Sequence, residues 1–316
     1  MEPIVSIENL SKDYETGFWK KKQVRALDGV SLDVMPGQIF GFLGGNGAGK
    51  TTTIKILMGL IFPTAGTARI LGRNIDDVEL HREIGYCPEN PYFYDYLTPL
   101  ELLKYFGALF GQSSSKQDEK SRELLTKVGL EEKDWSKQLR KFSKGMLQRV
   151  GLAQSLINDP KIVFMDEPMS GLDPIGRREV RELIADLRQN GTTVMMSTHI
   201  LGDVEALCDE VAILTKGKLA ASGTLYDLLQ KNEEHRSFEI TVNGLAANSL
   251  IAELAARDGI NVNANPTGVT ITVSDENDVE SVIHASRKLN GTLVSVLPVK
   301  QSLEELFLSN TNNPPA

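Results

Sequence analysis

Long hydrophobic runs are missing from this sequence. The run Ile54 to Phe62 is broken by Lys55 and falls short of the ~20 apolar residues a membrane-spanning helix needs. Met1 to Val5 lacks the basic stretch and apolar segment of a secretory leader, so none is expected. Cysteine is scarce. Cys87 and Cys208 are the two present, far apart and in no C-x-x-C pattern, which points to a reduced chain rather than a disulfide framework. A surplus of positive charge is also absent. With 34 Lys and Arg against 42 Asp and Glu the net charge is −8, and a phosphate backbone would be repelled overall, so no nucleic-acid partner is expected. Aromatics make up 6%, and His81, His235 and His284 share no metal-ligand spacing. We read these three histidines as structural or surface residues.

What remains is ordinary globular composition, 41% hydrophobic and 24% charged over 316 residues, enough for two domains. Ile4 to Asn9 and Val24 to Val34 read as strands, the second ended by Met35-Pro36-Gly37. Ile39 to Leu43 is a short apolar run that enters glycines, the pattern of a buried parallel strand. Thr51 to Leu60 has helical spacing. Residues 91–159 read as mostly helical, with apolar stripes over Glu101 to Phe110, Ser121 to Val128 and Met146 to Ile157. The polar stretch Gly111 to Asp118 is expected to be an exposed loop. Strands at Ile162 to Met165 and Thr193 to Met196 flank a helix from Arg177 to Gln189, which implies a parallel sheet covered by helices. Val211 to Leu214 and Lys218 to Ala221 form a hairpin pattern around Gly217.

A charged stretch, Lys231 to Arg236, marks a boundary, giving a first domain over 1–230 and a second over 237–310. The second has strands at Phe238 to Val242, Asn261 to Ala264, Val269 to Val273 and Thr292 to Leu297. Helices are expected at Ser249 to Arg257, from a Ser274 cap to Leu289, and at Leu303 to Ser309. The order β-α-β-β-α-β suggests a small ferredoxin-like α+β domain.

Residues Gly44 to Thr51 fit G-x-x-x-x-G-K-[ST] between a strand and a helix. Glycines let the backbone wrap closely around phosphates, and the helix adds its positive end. Gly44, Gly45, Asn46, Gly47, Ala48, Gly49, Lys50, Thr51 and Thr52 are therefore candidate phosphate-binding residues. Lys50 would reach the β- and γ-phosphates, and the Thr51 hydroxyl would ligate Mg²⁺. The apolar strand Ile162 to Met165 ends in Asp166 and Glu167. That places both carboxylates at the carboxyl edge of the sheet, where ligands of open α/β sheets bind. Asp166 can hold Mg²⁺ and Glu167 can polarise an attacking water. These two motifs describe a P-loop NTPase.

Further residues resemble the ATP-binding subunits of ABC transporters, over about Ile4 to Gln230. Phe142-Ser143-Lys144-Gly145-Met146-Leu147-Gln148-Arg149 resembles that family's signature motif. Ser170-Gly171-Leu172-Asp173 resembles its D-loop. His199 stands where the family has its switch histidine, and Tyr14 resembles the aromatic residue that stacks on adenine. The resemblance implies an α/β P-loop NTPase fold with an antiparallel β subdomain and a helical subdomain near 91–159. It implies ATP and Mg²⁺ as cofactors, catalysis by Lys50, Glu167 and His199, and Ser143, Gly145 and Asp173 acting on ATP held by a paired subunit. It also implies an integral membrane permease as partner, with the chain on the cytoplasmic face of the cell membrane. The signature style and the appended domain resemble subunits paired with ABC-2-type export permeases.

Two positions depart from the pattern. Lys144 replaces the first of two adjacent glycines; it could add charge near phosphate or point to solvent, and solvent is the expectation. Glu89 stands where the family's Q-loop has glutamine, and a carboxylate there is a hard ligand for Mg²⁺. Pro91 to Tyr96, rich in aromatic residues, follows that loop, where the family forms a groove for its membrane partner; core packing is the competing reading for some of these rings. Trp19 with Lys20 to Lys22 reads as a solvated loop, and Glu304 and Glu305 as an exposed helix face. The competing function is a soluble ABC ATPase with a non-transport role. Such chains usually carry two cassettes or long coiled coils, and this one has one cassette and no sustained heptads. Retention of Glu167 and His199 speaks against a binding module without hydrolysis.

Overall fold

A computed structural model describes residues 2–17, 22–230, 237–254 and 259–299. They fall into two compact units, divided between Leu225 and Tyr226.

The first unit opens with β1 (Val5–Thr16) and β2 (Lys22–Val34), an antiparallel pair interrupted by bulges. Next come β3 (Ile39–Leu43), α1 (Lys50–Leu57), β4 (Ala65–Ile70) and β5 (Arg73–Asn74). The order β2-β1-β4-β5 makes an antiparallel sheet. After β6 (Ile84–Cys87) the chain turns helical, with α2 (Pro99–Leu109), α3 (Ser114–Lys127) and α4 (Lys144–Ser155). Then β7 (Ile162–Asp166), α5 (Pro174–Gln189), β8 (Thr193–Thr198), α6 (Leu201–Leu207), β9 (Glu210–Thr215) and β10 (Lys218–Thr224) complete the unit.

The second sheet of this unit runs β10-β9-β3-β8-β7-β6 and is parallel except at the β9–β10 hairpin. Every residue of β3, β7 and β8 is buried. Strands covered on both faces read as unbroken apolar runs, which is why these were visible in sequence. The core joins both sheets through side chains such as Leu10, Leu27, Phe40, Phe42, Ile54 and Phe164. Cys87 and Cys208 are free and buried, and burial pushes both thiols up to about 12.

The expected loop at Gly111 to Asp118 is corrected. Ser113 caps α3 by accepting from the Lys116 N–H, and the helix starts at Ser114. Its first turns are polar because they lie half-buried or exposed, and solvated helix resembled loop. Also absent from the sequence reading were α6 and the short strands β4 and β5.

The second unit begins within α7 (Leu225–Gln230). It holds β11 (Ser237–Asn243), α8 (Ala247–Glu253), β12 (Ile260–Asn265), β13 (Gly268–Val273), α9 (Glu276–Lys288) and β14 (Thr292–Val299). The antiparallel strand order β12-β13-β11-β14 is that of a ferredoxin-like β-α-β-β-α-β domain. Its core includes Ile240, Val242, Leu250, Ile271, Val273 and Val282. The cap of α9 is Asp275, not Ser274; its carboxylate accepts from the Asn277 N–H. The expected helix at Leu303 to Ser309, with Glu304 and Glu305, lies outside the described residues, as do His235, Trp19, Lys20 and Lys21.

Gly85 sets how closely α4 approaches the sheet. A Cβ there would lie 2.1 Å from the Ser155 carbonyl oxygen at the end of α4. Gly85→Ala is expected to lower stability by about 1–3 kcal/mol, as overpacking of a tight core does. Urea unfolding of the full chain measures it; an unchanged midpoint would contradict the packing described.

Candidate nucleotide site

The site forms where β3, β7 and β8 end. Leaving β3, the chain passes through Gly44 to Gly49 and enters α1 at Lys50. Gly49 has φ of 110°, and a Cβ there would meet Leu27 Cδ2 at 2.6 Å and the Ala26 oxygen at 2.8 Å. A side chain would be excluded twice, by strain and by space. No side chain caps α1 and no acid lies in its first turn. Its first N–H groups and the positive helix end are thus left for an anion.

Lys50 is 7% exposed. Its Nζ donates to the Gly44 carbonyl at 2.6 Å and the Gly45 carbonyl at 3.3 Å, and lies 3.8 Å from Glu167 Oε1. Burial lowers its pKa, although Glu167, Asp166 and Glu89 each pull upward. The ammonium is therefore incompletely compensated, and bound phosphate would supply the missing charge.

Asp166 Oδ1 accepts from the Thr51 hydroxyl at 3.2 Å and from the Ser197 hydroxyl. Glu167 has φ of 49°, a left-handed conformation unusual outside glycine. Its N–H donates to the Ser197 carbonyl and hydroxyl oxygens, each at 3.1 Å. Its Oε1 is 2.9 Å from His199 Nδ1. Ser197 thus holds both acids in place, and sequence reasoning missed it. Its signal was position alone, on the neighbouring strand two residues before His199.

A cavity of about 510 Å³ joins these groups, walled by Gly45 to Thr52, Glu89, Glu167 and His199, with Val24, Arg25 and Ala26 from β2. The oxygens of Thr51 and Asp166 are hard donors and fit Mg²⁺, which binds through one or two carboxylates and completes its shell with water and phosphate. Mg²⁺ held by Thr51 and Asp166 would neutralise charge on phosphate oxygens.

The other predicted residues lie elsewhere. Ser143 caps α4, accepting from the Met146 N–H at 3.3 Å, and Gly145 packs against the Gly171 oxygen. Lys144 does not simply point to solvent. It stays exposed, but its Nζ donates to the Ser170 hydroxyl at 3.2 Å and its methylenes cover Gly171. Asp173 caps α5, accepting from the Gly176 N–H at 2.9 Å. Tyr14 pairs in register with Val24 of the cavity wall but does not itself line it, and Lys12 Nζ lies 5.3 Å from its ring centre. Tyr92, Tyr94 and Tyr96 are not core; they are 98%, 54% and 60% exposed. Both ring nitrogens of His81 lie 3.1 Å from backbone carbonyls, of Val78 and Met58, so that residue is structural.

With this geometry in hand, the fold and site define an ATP-hydrolysing cassette. Residues 27–170 match the family model for the ABC transporter. The chain is 42% identical over 306 residues to an uncharacterized ABC transporter ATP-binding protein of Synechocystis sp., covering 96% of this chain and 84% of the relative. It is 32% identical to the bacitracin transport ATP-binding protein BcrA of Enterococcus faecalis, covering 97% and 96%. A dimeric, post-hydrolysis structure of the ATP-binding cassette MJ0796, bound to ADP and Pi, superposes with a TM-score of 0.65 at 26% identity, covering 70% of this chain and 98% of that one. The chain belongs to the ABC transporter family, as an ATP-binding subunit that hydrolyses ATP with Mg²⁺.

Glu167→Gln keeps the shape of the site and removes the carboxylate expected to act as base. ATP affinity is expected to stay near wild type while turnover falls at least ~100-fold, the lower range for loss of a positioned base. Equilibrium nucleotide binding and steady-state phosphate release measure the two; wild-type turnover would contradict the role of Glu167.

Proposed function

We propose that two copies pair around two ATP molecules and drive export through a separate membrane permease. The carrying observation is a division of labour on the chain. Lys50, Thr51, Glu89, Glu167 and His199 line one cavity, with Asp166 bonded to Thr51 behind it, and none of its lining residues comes from Ser143 to Met146. Ser143 and Lys144 are exposed instead, at the start of a capped helix whose positive end suits an anion. A phosphate-binding segment unused by its own site fits use by another copy's site, with Asp173 beside it. The dimeric MJ0796 cassette supports that pairing.

In this arrangement Lys50 and the glycine-rich backbone hold the phosphates, while Thr51, Asp166 and Glu89 supply oxygens toward Mg²⁺. Glu167 accepts the proton of the attacking water, and His199 orients the Glu167 carboxylate. Nucleotide then controls an open–closed equilibrium of the pair, because bound ATP contacts both copies only when they are closed. The second domain, about 237–310, is proposed as an accessory unit that regulates or stabilises the pair.

No helix among the described residues is long and apolar enough to cross a membrane. The relative BcrA is named for bacitracin transport, which supports a transport role. Export follows from the likeness of the signature and appended domain to subunits of ABC-2-type systems. The docking surface is proposed at Tyr92, Tyr94 and Tyr96, with Tyr94 6.4 Å from the ring of Tyr105. Exposed aromatics concentrated on one loop mark a protein contact. On this reading the chain sits at the cytoplasmic face of the membrane.

Replacing Tyr92, Tyr94 and Tyr96 together by alanine is expected to move the chain from the membrane pellet to the soluble fraction of its own cells, with ATP binding intact. Unchanged membrane association would contradict the proposed docking surface.

A further inference from the structure

Gln148 lies in the second turn of α4, completely buried. A buried amide is costly unless its hydrogen bonds are made. Its Nε2 donates to the Pro168 carbonyl at 3.2 Å and lies 3.7 Å from Cys87 Sγ. Its Oε1 has no partner among the described residues. The side chain thus leaves its acceptor idle while its amide nitrogen reaches both Pro168 and Cys87. The carbonyl it reaches belongs to the residue directly after Glu167.

That peptide needs holding. Glu167 is a non-glycine residue at φ of 49°, and such a conformation persists only where the surroundings over-determine it. On the N-terminal side, the Glu167 N–H is bound by Ser197. On the C-terminal side, the Ser170 N–H donates to the Glu167 carbonyl at 3.0 Å. The bond from Gln148 to Pro168 is the one that reaches in from α4. The same helix also grips the segment leading to Glu89. A Cβ on Gly151, one turn on, would stand 3.2 Å from Pro91 Cγ and 3.5 Å from Cys87 Sγ. One helix face thus touches the chain beside both Glu89 and Glu167.

We propose that Gln148 is a positioning residue for ATP hydrolysis: its buried amide fixes the Pro168 carbonyl and, through it, the direction of the Glu167 carboxylate. The proposal rests on the reading of Glu167 as the group that activates water. Gln148 itself touches no reacting atom. A tilt of α4 would move the Pro168 carbonyl and so change hydrolysis without changing the residues that grip the phosphates.

The test uses the purified full chain. Gln148→Met keeps the length and burial of the side chain and removes the donor. It is expected to lower kcat about 10-fold or more while the ATP dissociation constant stays within about 2-fold, because misplaced catalytic groups lose turnover before binding. Cys87→Ala removes the thiol contact and leaves the Pro168 bond; its kcat is expected within about 2-fold of wild type. If Gln148→Met does not fold, Gln148→Asn carries the test, since the shorter side chain withdraws the amide from Pro168; the same loss is expected. A folded Gln148 variant with wild-type kcat overturns the proposal. So does a parallel fall of kcat and ATP affinity, or a loss in Cys87→Ala equal to that in Gln148→Met. Glu167→Gln is measured alongside. If it turns over like wild type, the reading of Glu167 fails and takes this proposal with it. Loss in Glu167→Gln with none at Gln148 removes the proposal alone.

Discussion

The ammonium of Lys50 sits almost out of water, between two backbone carbonyls of its own loop and 3.8 Å from a carboxylate oxygen of Glu167. A cation so placed is destabilised by desolvation and only partly repaid by neighbouring acids, and its lowered pKa expresses that imbalance. Everything around it serves to keep it there. The left-handed Gly49 lets the loop close, and α1 starts without a competing cap or acid. A polyanion is the ligand that resolves the imbalance, so the loop suits phosphate by electrostatics as much as by shape.

The acids depend on the sheet. Because β3, β7 and β8 are parallel neighbours, their carboxyl ends deliver the phosphate loop, Asp166 with Glu167, and Ser197 with His199 to one edge. Ser197 connects the last two strands by bonding both acids, and Thr51 connects the loop to Asp166. The strained Glu167 backbone is held from both sides, so its direction is a property of the whole edge rather than of one residue. α4 bonds to that edge through Gln148 and carries the exposed Ser143 at its start.

Much of this was legible in the sequence, for identifiable reasons. Gly44 to Thr51 and Ile162 to Glu167 stand out because close backbone approach and burial on both faces restrict residue choice. The β-α-β-β-α-β order of the second domain followed from the succession of strand-like stretches, such as Val269 to Val273, and helical ones. Features that depend on neighbours distant in sequence were not legible. Ser197 is an ordinary strand residue until it stands beside β7. Gln148 reads as part of a motif, yet the carbonyl its amide reaches belongs to Pro168, twenty residues on. Lys144 was expected in solvent because nothing local shows that Ser170 lies 3.2 Å from its ammonium. The start of α3 was missed because polar residues on a solvated helix face look like a loop.

The central claim is that each hydrolytic site is shared between two copies. Mixing two inactive variants tests it most directly, Lys50→Ala with Ser143→Ala. If sites are shared, a mixed pair contains one site with both defects and one site with neither, by the symmetry of an isologous dimer. ATP turnover in the mixture is expected well above the sum of the separate variants. Turnover equal to that sum, with mixed pairs demonstrably formed, would contradict it.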